Sequence, residues 1–336
     1  MTLRDIGEFG LIERIAARFS TVGTEDGSLG IGDDCAVLSR NRDELDLVTT
    51  DLLIEGSHFL RDAISPRLLG RKSVAVNLSD ICAMGGECRS AFLALALPGE
   101  LSVAWIDAFF DGVQERLREA GVKLLGGDTT RSNGPIVIQF TILGSVSPAH
   151  LKLRRTAREQ DLICVTDCLG DSGGGLRALL EGVARNSAVE YLIERHLDPC
   201  PQLAEGAWLA ASSDVHAMMD ISDGLDSDIR RIMEQSRVGA RIEVEHLPLS
   251  SQLREVAAEQ AWSAWELAVS GGEDYVLLCT VAPERHAALA EAFQRRFGRE
   301  LRAVGRITDR PGQLVYLRDG VPMDPSKLGF DHFRTE

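Results

Sequence analysis

Apolar residues at Phe9, Ile12, Ile15, Ala16 and Phe19 recur every three to four positions, which predicts an amphipathic helix over 8–19. A Gly- and Asp-rich loop, Gly30-Ile31-Gly32-Asp33-Asp34, then leads into a short strand over 35–38. The period changes to two at LDLVTT, so 45–50 reads as a strand that ends on Asp51. Residues 66–84 are patterned as a helix and close on Gly85-Gly86, a helix-stop signal. A strand over 90–97 and a helix over 102–120 follow, with Ser102 as the N-cap. Leu124-Leu125-Gly126-Gly127-Asp128 reads as a strand running into a turn, and 136–146 as a long strand.

Past residue 150 the pattern predicts strands over 162–166 and 217–221, alternating with helices over 175–181, 202–211 and 223–235. A strand over 275–281, a helix over 283–297 and strands over 301–307 and 314–317 complete the chain. The basic stretch KLRRTAR, 152–158, reads as a junction, which divides the protein into domains of 1–148 and 149–336. Mixed strands and helices in both halves predict an α/β and α+β fold of two domains.

Composition narrows the function. The 336 residues suffice for two cores, and 44% hydrophobic with 26% charged residues is an ordinary globular balance. A net charge of −15 without a basic stripe argues against nucleic acid as a partner. Such acidity serves solubility, or it gathers carboxylates around divalent cations. Seven cysteines without a C-x-x-C pair suit a reducing compartment. The N-terminal segment lacks a signal peptide's apolar core, and the longest apolar run, 91–98, is too short to span a bilayer. A cytoplasmic protein with no membrane partner is expected.

The candidate chemistry lies in aspartates beside glycines or at strand ends: Asp33-Asp34, Asp51, Asp80, Asp128, Asp220 and Asp223. Hard divalent cations take oxygen ligands, and Mg²⁺ keeps positions open for water and phosphate. Each aspartate alone also suits a turn or helix cap; Asp223, for instance, fits the first turn of a helix. Gly126-Gly127-Asp128, Gly173-Gly174-Gly175 and Ser270-Gly271-Gly272-Glu273-Asp274 are turns whose amides suit anions, though glycine clusters mark ordinary turns as well. The closest approach to a Walker A loop, Gly70-Arg71-Lys72-Ser73, fails the pattern. Gly170-Asp171-Ser172-Gly173-Gly174 matches the nucleophile elbow G-x-S-x-G, but the preceding strand ends too early for the abrupt turn that motif needs.

Taken in order, GEFGLIERIA, GIGDDCAVL, VTTDLLIEGSHF, AVNLSDICAMGG, LGGDTT, DISDGLDSDI, SGGEDYVLL and GFDHF run from residue 7 to 333. The set resembles the thiamine-monophosphate kinase family, of the superfamily that includes aminoimidazole ribonucleotide synthetase and selenophosphate synthetase. The resemblance implies an N-terminal domain that dimerises through its sheet, a C-terminal α+β domain and an active site in the cleft between them. It implies Asp34, Thr49, Thr50, Asp51, Asp80, Asp128, Asp220 and Asp223 as Mg²⁺ ligands, some through water. It implies Gly127, Asp128, Arg154 and Ser222 as contacts to ATP, with either Phe109 or Phe110 facing adenine. His58, Glu273 and Phe330 are implied as contacts to thiamine monophosphate. The expected activity is direct in-line transfer of phosphate from ATP, assisted by several Mg²⁺ ions, giving thiamine diphosphate, in a homodimer.

Three rival readings remain at this level. Another superfamily member is disfavoured because the first cysteine is Cys35, beside the GDD motif, and the chain ends without a reactive cysteine. A non-catalytic sensor of nucleotide and metal shares every binding residue. A metal-dependent phosphohydrolase shares the carboxylates but needs no acceptor.

Overall fold

The computed structural model describes residues 3–18 and 28–325. Helix α1 (Leu3–Arg18) is kinked at Gly7, whose φ is 68°. The strands β1 (Ala36–Ser39) and β2 (Leu45–Ile54) form an antiparallel pair. Helix α2 (Pro66–Ala83) starts on Ser65, whose hydroxyl accepts from the Leu68 amide, with Pro66 in the first turn, where its missing N–H costs nothing. Strand β3 (Glu87–Pro98), helix α3 (Val103–Glu119), strand β4 (Lys123–Ser132) and strand β5 (Val137–Val146) follow. Ser102 caps α3 as expected, accepting from the Trp105 amide at 3.2 Å.

These strands make one sheet in the order β1-β2-β5-β3-β4, antiparallel except for β3 against β4, the pair that α3 connects. Alternation along β5 turns Ile138, Phe140 and Ile142 into the core and Gln139 and Thr141 to the other face. Helices α2 and α3 cross at glycines. A Cβ on Gly70 would stand 2.1 Å from the Phe109 carbonyl oxygen, and one on Gly112 only 1.8 Å from that of Arg67.

The second half supplies β6 (Leu162–Val165), α4 (Asp171–Glu181), α5 (Ser187–Leu197), α6 (Leu203–Ala210), β7 (Val215–Asp220), α7 (Leu225–Ser236) and β8 (Gly239–Glu243). It continues with α8 (Ser251–Glu259), α9 (Ala264–Ser270), β9 (Leu277–Val281), α10 (Pro283–Phe297), β10 (Arg302–Thr308), β11 (Leu314–Arg318) and β12 (Val321–Met323). The seven strands are ordered β12-β11-β8-β10-β6-β9-β7, with β8 and β11 the parallel pair.

The architecture is the mixed α/β and α+β one expected. Three local expectations fail for physical reasons. Strand β2 does not stop at Asp51, because its pairing with β5 continues to Ile54 against Val137. Strand β4 continues through Gly126-Gly127, which pair with Phe92 and Leu93 of β3 after a one-residue register shift at Leu125, rather than forming a turn. The glycines 173–175 lie inside α4, where a Cβ on Gly175 would stand 2.1 Å from the Leu192 carbonyl oxygen. They allow close helix packing instead of presenting amides to an anion.

Helix α2 is buried along nearly its whole length, including Lys72, Ser73, Asn77 and Ser79. It contacts β2, β3 and β5 of the first sheet and also α5, α6 and β7 of the second half. Tyr275 of the second half packs into the first core. The polar residues of α2 therefore sit at the seam between the halves, where a site can form.

Candidate active site

Asp80 sits on α2, Asp220 ends β7, and Asp34 lies in the loop before β1. A carboxylate oxygen from each lies within 4.8 Å of the other two. The surroundings hold them in place. The Ser79 hydroxyl donates to Asp220, the Thr49 hydroxyl donates to Asp80, and the Asn77 amide oxygen accepts from the Asp51 backbone N–H at 3.0 Å. Thr49 and Asp51 are two residues apart on β2, so both face α2.

Burial and mutual repulsion disfavour the charged forms here. Burial, then the charges of Asp223 and Asp34, push Asp51 up to about 6. Burial, then Asp34, push Asp220 up to about 7. Asp80 is raised well above the usual carboxylate range, by burial and then by Asp51, Asp220 and Asp34. Five of the expected carboxylates thus share one electrostatic neighbourhood. The Arg154 guanidinium donates to Asp34 Oδ1, while Asp34 Oδ2 is buried with no hydrogen-bond partner among the described residues. An unsatisfied buried acceptor beside two crowded carboxylates fits a hard divalent cation such as Mg²⁺. Asp33 has a different task, since its Oδ1 accepts from the Arg154 backbone N–H at 2.8 Å and tethers the loop.

Two expected metal ligands stand apart from this cluster. The Thr50 hydroxyl points to the opposite face of the sheet, donating to the Phe140 carbonyl and accepting from Gln139 Nε2, each at 2.9 Å. Asp128 is exposed on β4. It shares a rung with Ala94, Gln139 and Leu52, three strand spacings or about 14 Å along the sheet from β2. Side chains on one rung share a face, so Thr50 and Asp128 occupy the outer face while Thr49 and Asp51 occupy the inner one. The strand alternation separates two groups that the linear motifs had merged.

Gly127, Asp128 and Phe110 line a cavity of about 280 Å³ together with Leu93, Leu124 and Thr129. A Cβ on Gly127, whose φ is 158°, would stand 1.7 Å from the Leu93 carbonyl oxygen, so only glycine fits. The two phenylalanines differ in their surroundings. Phe109 is 1% exposed and stacked on Trp105, whereas Phe110 is 38% exposed and faces the cavity.

Glu273 is held by α2 and α5. Lys72 Nζ donates to its Oε2 at 3.0 Å, and His196 Nδ1 stands 3.3 Å from the same oxygen. Burial raises the pKa of Glu273, but Lys72, His196 and His58 outweigh it and the net shift is downward. His58 is near enough to Glu273 to contribute to that shift, behind Lys72 and His196. The Glu273 amide donates to the Ser222 carbonyl at 2.7 Å, and Ser222 and Asp223 both donate backbone N–H groups to Asp228 Oδ2. Phe330 lies outside the described residues.

Sequence reasoning missed Lys72, Asn77, Ser79 and Asp228. Polar residues inside a well-patterned helix were the available signal, because an all-buried helix has no solvent to satisfy them. The elbow motif is explained away here. Ser172 Oγ lies 3.0 Å from His196 Nδ1, yet that same nitrogen faces Glu273, so no serine-to-base-to-acid relay forms. Ser172 is also fully buried.

A two-sheet fold with a carboxylate cluster at its seam defines the class. Residues 32–146 match the AIR synthase related protein N-terminal domain, and residues 158–317 match the C-terminal domain of the same proteins. The chain is 40% identical to thiamine-monophosphate kinase of Escherichia coli strain K12, over 98% of this chain and 99% of that one. It is 33% identical to that of Bacillus subtilis, over 97% and 99%. The solved structure of AaThiL complexed with AMPPCP and TMP superposes with a TM-score of 0.86 at 32% identity, covering 99% of each chain. Hydrogenase maturation protein HypE of E. coli, at 18% identity and a TM-score of 0.68, shares the fold alone. The chain belongs to the thiamine-monophosphate kinase family.

Proposed function

We propose that this protein transfers the γ-phosphate of ATP to thiamine monophosphate, giving thiamine diphosphate. The observation that carries this reading is the set of crowded carboxylates around the buried, unsatisfied Asp34 Oδ2, in a protein that also has a cavity lined by Gly127 and Asp128 and an acidic seat at Glu273. Relatives of that name match the chain end to end. Asp34, Asp80 and Asp220, with Asp51 and Asp223 close by, would hold Mg²⁺, which would supply charge neutralisation between two polyanions.

The chain's own residues do the rest. Arg154 adds a fixed positive fork beside the cluster. Asp228 holds the Ser222-Asp223 backbone in place through its two accepted hydrogen bonds. Glu273 and His58 face the acceptor, where a carboxylate complements the thiazolium charge. An acceptor phosphate is already ionised near neutral pH, so no strong base is required. Burial and the Lys72 charge drive His196 down to about 4, so it stays neutral near pH 7. Direct in-line transfer is the mechanism that fits these groups.

The test incubates pure protein with ATP, Mg²⁺ and thiamine monophosphate and looks for thiamine diphosphate. Product is expected, lost on chelation and regained with Mg²⁺. Phosphate release without that product would favour a hydrolase, and binding without turnover a sensor.

In the same reading Phe110 stacks on adenine. Phe110→Ala should raise KM for ATP about tenfold while leaving KM for thiamine monophosphate little changed, a split that steady-state kinetics reads directly. Asp128, which lines that cavity, would serve a metal at the nucleotide end; Thr50, three strands away on β2, would not share it. A homodimer through the first sheet is part of the proposal, because its outer face carries Leu38, Leu52 and Phe92 exposed. Domains meeting near residues 148–149 and a cytoplasmic location also belong to it; no helix among the described residues is long and apolar enough to cross a membrane.

A further inference from the structure

Lys72 is a cation at the centre of the molecule, 1% exposed, on the first domain's helix α2. Desolvating an ammonium is costly unless its donors are used. Both of its contacts cross to the second half: it donates to the His196 carbonyl at 3.1 Å and to Glu273 Oε2 at 3.0 Å. The metal cluster does not involve it, and neither does the cavity at Gly127. Its partner Glu273 is unusual as well. Glu273 has φ 62° and Tyr275 has φ 50°, left-handed conformations that are strained for residues with side chains. Strained backbone persists where its surroundings over-determine it, and here the Glu273 amide is fixed by the Ser222 carbonyl while its carboxylate is fixed by Lys72.

The bland reading is that Lys72 simply satisfies a buried glutamate and glues the halves together. Two facts argue for more. Glu273 keeps about a quarter of its side chain exposed, so one end of the carboxylate remains open while Lys72 and His196 both take Oε2. The helix that carries Lys72 also carries Ser79 and Asp80, which hold and belong to the carboxylate cluster. One rigid element thus touches both ends of the site.

We propose that Lys72 is a positioning residue for the acceptor molecule: it clamps Glu273 by Oε2, leaves the other carboxylate oxygen aimed at the acceptor's cationic ring, and registers that seat against Asp80 through α2. This rests on the reading of Glu273 as an acceptor contact. The geometry makes the arrangement specific for a cationic heteroaromatic phosphate, since a neutral ring would gain nothing from the held carboxylate.

The experiment compares steady-state kinetics of the full-length protein, Glu273→Gln, Lys72→Met and the double variant, varying each substrate in turn. Lys72→Met should raise KM for thiamine monophosphate about tenfold, with KM for ATP changing less than about twofold. The double variant should be no worse than the worse single one, because both remove the same held carboxylate. Lys72→Gln, which keeps a donor but loses the charge, carries the same expectation should the methionine variant fail to fold. If Glu273→Gln raises the acceptor KM and neither Lys72 variant does, the positioning role is overturned. Parallel rises in both KM values with a lowered melting temperature would also overturn it, reducing Lys72 to a structural pair. If Glu273→Gln itself leaves the acceptor KM unchanged, it is the underlying assignment of Glu273 that falls, and the inference about Lys72 falls with it.

Discussion

Asp220→Asn should cut turnover about a thousandfold and at the same time make the metal-free protein more stable at neutral pH. Asp220 is pushed up to about 7 by burial and then by Asp34, so ionising it in the fold costs free energy that ionising it in the unfolded chain does not. A carboxyl whose folded pKa is raised gives its full contribution below the unfolded pKa of about 4, and that contribution is lost as pH climbs through the folded value. The chelated wild type should therefore lose stability between about pH 4 and pH 7, with Asp51, raised to about 6, acting in the same sense. Asparagine removes Asp220's share and should add ~2 kcal/mol near pH 7.5. Added Mg²⁺ should reverse the ranking by stabilising the wild type more than the variant. Thermal melts of both proteins with and without chelator check this, and a variant less stable than wild type under chelation would contradict it.

Arg154→Met is expected to act in the opposite sense on stability. The guanidinium is the partner of Asp34 Oδ1, and its own backbone N–H and carbonyl are held by Asp33 and Ser236. Methionine keeps the backbone contacts and much of the stem's packing. It leaves Asp34 buried and unpaired beside Asp80 and Asp220, an arrangement that typically costs ~3 kcal/mol or more. Denaturant unfolding under chelation should show that loss. Mg²⁺ should recover most of it, because a bound cation replaces the missing charge. Turnover should also fall, with the larger effect on KM for ATP. The two substitutions, a few ångströms apart, thus pull stability in opposite directions for one reason: the cluster carries more negative charge than its own cations neutralise.

Much of this was legible in the sequence because it was local. The Ser102 cap, the helix of 66–84 and the two-layer mixture in each half follow from short-range patterning and match the structure. The aspartates of the cluster were found because each sits in a conspicuous motif. What escaped was information held between segments. Helix α5 was missed because its apolar positions, Ala188, Val189, Leu192 and Ile193, span few turns, and its identity comes from packing against α4 and α8. The opposite faces of Thr49 and Thr50 follow from strand alternation alone, but that Asp128 shares the face of Thr50 depends on the register of β2, β5, β3 and β4, which neither the VTTD nor the LGGDTT string announces. The continuation of β4 through two glycines, past an irregularity at Leu125, is decided by its pairing with β3. Lys72 and Asp228 looked like ordinary helix surface until the fold buried them.

Helix α2 has one more consequence, for how this architecture can vary. Lys72, Asn77, Ser79 and Asp80 hang from a single rod with a turn of 100° per residue, so adding or deleting one residue between them would swing Asp80 away from the seam and leave Lys72 behind. Loop lengths elsewhere, such as the link from β1 to β2, face no such restriction. Length changes among natural variants should therefore be absent from this segment and common at the hairpin tips, and attempts to transplant the acceptor seat without the whole rod should fail.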